Sequence, residues 1–173
     1  KIEQAFTAHQ EGRLDEAVEY FTHALAIDPE MIEAQKNLGA IFTEQGKSGE
    51  AIKLYRLVLD QITNDAMSHY FLAVNLMQEG RSDEASQYFS EALRYNPRLS
   101  EAHSYLGFLK AGQGKLDEAA KHLTQALVID PKMIAARRNL GHVLNQQGDV
   151  DGAMMLFRQV LELDPNDAMA HNN

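Results

Sequence analysis

The 173-residue chain has no cysteine, only four prolines, and 16 basic side chains against 25 acidic ones. Without cysteine there is no disulfide framework, thiolate metal site or thiol nucleophile. The compartment stays open, because a cysteine-free chain tolerates reducing and oxidising surroundings alike. No stretch approaches the roughly 20 apolar residues that a membrane-spanning helix needs, and no cationic start leads into a short apolar run of the signal-peptide kind. The sequence therefore implies no direct membrane insertion and names no location. A formal charge of −9 repels phosphate backbones and anionic lipid, which argues against nucleic acid as a partner.

The few prolines are regularly placed. Pro29, Pro97, Pro131 and Pro165 are spaced by multiples of 34, with Thr63 at the skipped place. Gly12, Gly46, Gly80, Gly114 and Gly148 repeat at 34 without a gap, as do Ala17, Ala51, Ala85, Ala119 and Ala153, so five copies of one plan are present. In each copy an apolar pattern of helical spacing (Leu38, Phe42; Leu72, Leu76; Leu140, Leu144) stops at the glycine, and a second begins two or three residues later. The glycine suits a left-handed exit from the first helix. Asp-Pro at 28–29, 130–131 and 164–165 ends the second. Asp15, Asp83, Asp117 and Asp151 stand just before the second run and are expected to be N-caps. Each copy is a helical hairpin that cannot bury both apolar faces alone, so hairpins must stack. Gly39, Ala73, Gly107 and Gly141 on the first helix, and the periodic alanines on the second, mark the closest approaches.

With Leu38-Gly39, Phe42, Gly46, Ala51 and Tyr55 in the second copy, and Leu106-Gly107, Gly114, Ala119, Ala126 and Pro131 in the fourth, the chain resembles the tetratricopeptide repeat (TPR) family over its whole length. The resemblance implies an all-α fold, a right-handed α-solenoid of stacked antiparallel helix hairpins (the TPR superhelix). It sets a single array over 1–173: a partial repeat at 1–31, full repeats at 32–65, 66–99, 100–133 and 134–167, and the start of another at 168–173. Departures are Val58 and Val160 for the last alanine, Thr63 for proline, Lys110 for a large apolar residue, and Gln35, His69, His103, Arg137 and His171 at the tryptophan position. In this register Lys1 and Asn173 both fall inside helices, as in a fragment of a longer array whose end helices fray or pair with a neighbour.

Chemistry-bearing motifs are weighed and set aside. His69, His103 and His171 recur at one helix position, but stacked repeats hold them roughly 10 Å apart, too far to share a metal at about 2 Å per bond. "GDVDGAMMLFR" (148–158) echoes a calcium loop, yet Gln147 and Arg158 stand where an acid and a bidentate glutamate are required; Asp151 reads as a helix cap. "AGQGKL" around Gly112 and Gly114 lacks the Ser or Thr after Lys115 that a phosphate loop needs. Acid pairs such as Asp15-Glu16 and Asp117-Glu118 open helices, where they suit the dipole. The sequence calls for no catalytic residues, no metal and no cofactor, and the expectation is a non-enzyme.

The copies differ most at positions 2, 5, 6, 9, 12 and 13 of the first helix, which share one face. The resemblance implies that this face is the concave groove in which peptides bind. The candidate residues are Lys36 and Asn37 in the second copy; Met67, Tyr70, Phe71, Val74 and Met77 in the third; Tyr105 and Phe108 in the fourth; Arg138, Asn139, His142 and Asn145 in the fifth. An apolar, aromatic centre is thus flanked by polar and basic shelves. Contiguous exposed apolar surface marks interaction sites, and one anchor contributes roughly 1.5–3 kcal/mol. Two other readings compete: the aromatics fold into the inter-helix seam as core, or a helix of the same protein covers them.

Within the family, the chaperone-tail clamp is broken, since Lys36 is followed by Ala40, Phe71, Glu101 and Tyr105. The asparagine ladder of O-linked N-acetylglucosamine transferase is echoed by Asn37, Asn139 and Asn173 but interrupted by Phe71 and Tyr105. The expected function is a protein–protein interaction scaffold that takes a peptide segment or partner protein in the groove. Its rivals are a recruiting arm of a larger enzyme, such as an O-linked glycosyltransferase, and self-assembly as a homo-oligomer through the solenoid ends.

Overall fold

The repeating glycines turn the chain. Each has positive φ, from 71° at Gly46 to 89° at Gly148, a left-handed conformation that costs a residue with a Cβ about 1–2 kcal/mol. At each, the amide of the residue after the glycine closes back on the last turn of the first helix (Arg13 N to Ala8 O, Lys47 N to Phe42 O, Arg81 N to Leu76 O, Lys115 N to Lys110 O, Asp149 N to Leu144 O, 2.8–2.9 Å). This is the Schellman closure.

A computed structural model describes residues 2–167 of the chain. Ten helices are present there: α1 (Ile2–Gln10), α2 (Leu14–Ile27), α3 (Ile32–Glu44), α4 (Ser48–Gln61), α5 (Ala66–Gln78), α6 (Ser82–Tyr95), α7 (Ser100–Gly112), α8 (Leu116–Ile129), α9 (Ile134–Gln147) and α10 (Val150–Leu163). They form antiparallel hairpins in an all-α solenoid fold. The chain divides into two compact units, residues 1–95 with α1 to α6 and residues 96–173 with α7 to α10. His171 and Asn173 lie outside the described residues.

The second helices end where Asp-Pro stops them: α2 at Ile27, α8 at Ile129 and α10 at Leu163. The Asp28, Asp130 and Asp164 carboxylates, and the Asn96 carboxamide, each accept from the amide two residues on (3.0–3.2 Å), bracing the proline turn. The N-cap expectation needs correction. Asp15, Asp83, Asp117 and Asp151 sit one residue inside the first turn, where they act on the helix dipole and not as caps. The capping position is taken by Arg13, Lys47 and Lys115, which make no side-chain cap, and by Asp149, which caps α10 by accepting from Gly152 N at 3.0 Å.

Packing follows the small residues. The large side chain 16 residues after each small one is buried: Phe21, Tyr55, Phe89 and Leu123 at 0–1% exposure and Phe157 at 4%. A Cβ on Gly39 would meet the Tyr55 ring at 3.0 Å, on Gly107 the Leu123 Cγ at 2.6 Å, and on Gly141 the Phe157 ring at 2.7 Å. Ala5 and Ala73 fill the same place in the first and third copies and are fully buried. The periodic alanines of the second helices are buried in all five copies.

Candidate partner-binding surface

The first helices α1, α3 and α5 of unit 1, and α7 and α9 of unit 2, carry the residues expected to face a partner. None of the thirteen candidates is fully buried.

In unit 1, Met67, Tyr70, Phe71, Val74 and Met77 line one face of α5, all partly or well exposed. Phe71 stacks on Tyr55 of α4 (5.5 Å between ring centres, 11° between planes). Tyr70 meets Phe71 edge-on at 5.2 Å and tilts against Phe89 at 5.9 Å. The aromatics are therefore half-anchored in the inter-helix seam while part of each ring stays at the surface. On α3, Asn37 donates its amide to Glu33 O at 2.7 Å, one turn back on its own helix.

In unit 2, Phe108 of α7 is 53% exposed, a large apolar side chain with half its surface in water. Tyr105 lies one turn before it, half-buried. On α9, Asn139 is half-buried and Asn145 exposed. His142 packs edge-on against Phe157 at 5.2 Å. Burial, and then the nearby Arg138 guanidinium, hold the His142 imidazole below its ordinary pKa.

The basic shelves are not free charge. Lys36 Nζ lies 3.0 Å from Asp65 Oδ1, and Arg138 Nη1 lies 2.6 Å from Asp167 Oδ2. Each cation is tied to the turn aspartate 29 residues on, at the entrance to the next repeat. Asp65 also accepts from Ser68 N (2.9 Å) and Ser68 Oγ (2.5 Å) as the N-cap of α5. Burial works to raise the Asp65 carboxyl, but the hydrogen bonds from Ser68 and Lys36 outweigh it and hold it below its ordinary value. The sequence reading missed both aspartates. The signal was present, since Asp65 and Asp167, like Lys36 and Arg138, are three repeats apart.

The residues at the tryptophan position share one task. Gln35 Nε2 donates to Pro29 O (2.7 Å), His69 Nε2 bonds Thr63 O (2.8 Å), His103 Nε2 bonds Pro97 O (3.2 Å) and Arg137 donates to Pro131 O. Four side chains of three kinds fasten the same turn six residues earlier. His69 also stacks between Tyr88 and Tyr95 at 5.9 and 5.5 Å. His103 Nδ1 meets His122 Nδ1 at 3.1 Å with ring centres 5.3 Å apart, the nearly straight arrangement of one N–H···N bond. Because Nε2 of His103 faces a carbonyl, its Nδ1 is the acceptor and His122 the donor. Among the described residues no three His, Asp or Glu side chains converge as a metal site, and no helix is long and apolar enough to cross a membrane.

Hairpins of this period, with a left-handed glycine between helices and a small-on-large contact inside each, define a helical-repeat scaffold. A tetratricopeptide repeat profile matches residues 8–74 and 110–172, and a second tetratricopeptide repeat profile matches 70–134; the chain belongs to the tetratricopeptide repeat family. No curated protein matches it. Among solved structures, MamA from Desulfovibrio magneticus RS-1 (residues 41 to its end) is 20% identical with a TM-score of 0.85, over 96% of this chain and 94% of that one. YrrB, described as a TPR protein with an unusual peptide-binding site, is 21% identical with a TM-score of 0.84, over 99% and 88%. A tetratricopeptide repeat protein from Parabacteroides merdae is 23% identical with a TM-score of 0.84, over 99% and 68%. At these identities the likeness establishes the fold. The matched profiles are repeat profiles and indicate no catalytic family.

Proposed function

We propose that the chain is a non-enzymatic scaffold that binds a peptide segment or partner protein on the inner face of its first helices. The observation that carries this reading is the placement of apolar surface. Met67, Phe71, Val74 and Met77 on α5 and Phe108 on α7 stay partly in water at positions where the second copy has Glu33, Asn37, Ala40 and Thr43. Phe71, already held by its stack on Tyr55, supplies affinity at little ordering cost, and the methionines adapt to the shape of a partner. The solved neighbour described as having a peptide-binding site supports the same use of the fold.

The test is capture of partners from source-cell extract on the wild-type chain, on Phe108→Ala and on Phe71→Asn, with folding of each checked by circular dichroism. A partner held by wild type and lost from either folded variant carries the reading. Identical capture by all three sinks it.

A further inference from the structure

Charge is unevenly divided between the two units. Residues 1–95 carry 16 acidic and 8 basic side chains, a formal −8, while residues 96–173 carry 9 and 8. On the inner face of unit 1 the imbalance is sharper. Glu3 of α1, and Glu33 and Glu44 at the two ends of α3, are exposed. The ammonium of Lys36, on the same face of α3, is neutralised by Asp65 at 3.0 Å, and Glu44 has only an imidazole nearby, His9 at 3.6 Å. The apolar stripe Met67, Phe71, Val74 and Met77 runs along α5, which packs beside α3.

We propose that the inner face of unit 1 takes a cationic amphipathic polypeptide segment, its apolar side chains on Phe71, Val74 and Met77 and its Lys or Arg side chains over Glu33 and Glu44. This rests on the reading of the inner face as the docking surface and adds the chemistry of the occupant. The two glutamates are eleven residues apart on one helix, about 16 Å at 1.5 Å per residue. The occupant therefore carries its cations about three helical turns apart, or about five residues apart if extended, with its apolar anchors between them. A face of one sign also speeds encounter with the opposite sign and rejects like-charged competitors. An anionic segment, by contrast, meets three glutamates and no free cation on α1 or α3 of this face.

The probes are two labelled synthetic peptides with one shared Leu/Phe stripe, one bearing Lys and the other Glu at its polar positions. Fluorescence anisotropy reads binding to the full chain at low and high salt. The Lys peptide is expected to bind at least about tenfold more tightly than the Glu peptide at low salt, a gap that closes as salt screens exposed charge. Glu33→Gln with Glu44→Gln closes the gap without salt. Phe71→Asn weakens the Lys peptide, and so does Met67→Gln, whose exposed site leaves the fold intact. Equal binding of both peptides, still weakened by Met67→Gln, keeps the docking surface and overturns the cationic occupant. A Lys preference that survives the double glutamate variant, or that ignores both apolar variants, places the peptide elsewhere and overturns the inference. Binding of neither peptide overturns it as well, and leaves the docking surface to the capture experiment.

Discussion

Lys36 of α3 reaches Asp65, the residue that caps α5 of the next repeat, at 3.0 Å, and Arg138 of α9 reaches Asp167 at the matching place three repeats later. The corresponding residues are Ile2 and Met31 in the first copy and Ser104 and Met133 in the fourth, so neither of those copies can form the ion pair. Asp65 does more than pair, since it also caps α5. A cation that looks like a binding residue on one helix is here part of the joint between repeats.

Replacing Asp65 with Ala removes the cap and strands Lys36. The expected loss is about 1–2 kcal/mol of stability, the range for N-cap truncation, read from urea unfolding. Lys36→Met should cost less, because Ser68 still satisfies the carboxylate. The Asp65 carboxyl is held below its ordinary value of 3.8 in the folded state, so its contribution is fully present above that value and is lost as pH falls through the lower folded value. Asp65→Asn flattens the acid limb of a stability–pH curve; an unchanged limb would show that the pair contributes nothing.

The His103–His122 contact has the opposite titration direction from a paired cation. Burial lowers His103 against the smaller raising effect of the Pro97 carbonyl, and burial, His103, Lys110 and Lys121 lower His122 against Glu118. One N–H···N bond holds at most one extra proton, because two imidazolium rings would present hydrogen to hydrogen. With folded values below the ordinary 6.5, the unfolded chain binds more protons as pH drops. Stability is therefore complete above about pH 6.5 and declines beneath it. His122→Tyr reproduces the His69–Tyr88 stack of the third copy and should flatten that decline in thermal melts between about pH 8 and 5, a window set by the histidine value.

Gly107 and Gly141 leave no room for a methyl group. A Cβ on Gly107 would stand 2.6 Å from Leu123 and 3.1 Å from the Ala119 carbonyl, and one on Gly141 would stand 2.7 Å from the Phe157 ring. Gly107→Ala should cost about 1–3 kcal/mol, the usual range for overpacking, because the backbone carbonyl cannot retreat as a side chain can. Gly39→Ala should cost less, its nearest contact being the Tyr55 ring at 3.0 Å. Equal midpoints in denaturant for the two variants would contradict this order.

The same contacts show what a sequence yields and withholds. The left-handed glycines and the small residues at the close approaches were legible because one period repeats them and each answers to a steric rule, whereas the large side chains they face emerge only from the structure. The caps were misread for a physical reason: Arg13, Lys47 and Lys115 close the Schellman turn of one helix and open the next, so the chain enters the second helix with no separate capping residue. The candidate surface was legible as a face, through variation at fixed positions. Its electrostatics were not, since Lys36 and Arg138 find their partners 29 residues away, beyond any pattern within one helix. The stacking of Phe71 on Tyr55 was hidden for the same reason, because it joins α5 to α4 of the preceding repeat.

That seam holds the clearest conflict with the repeat plan. Tyr55 stands where other copies have Phe21, Phe89, Leu123 and Phe157, and Asn75 stands where they have Thr7, Ile41, Leu109 and Val143. Both are buried, at 1% and 0% exposure. Asn75 donates to Thr43 Oγ1 and Phe71 O at 2.8 Å, but its Oδ1 is unpaired, and the Tyr55 hydroxyl sits near Thr43 without a well-formed hydrogen bond. A buried polar atom without a partner costs about 1–3 kcal/mol. Asn75→Leu, the residue of the fourth copy, should therefore stabilise the chain by about 1 kcal/mol, and Tyr55→Phe should be neutral or stabilising. Asn75→Ala should instead destabilise, because it trades the unpaired oxygen for a cavity. Thr43 loses only an incoming bond in these variants, as its own hydroxyl still donates to Gly39 O at 2.9 Å. Denaturant midpoints for the three variants decide the matter: if Asn75→Leu unfolds as easily as Asn75→Ala, the polar group holds the seam together and the repeat plan is a poor guide to its energetics.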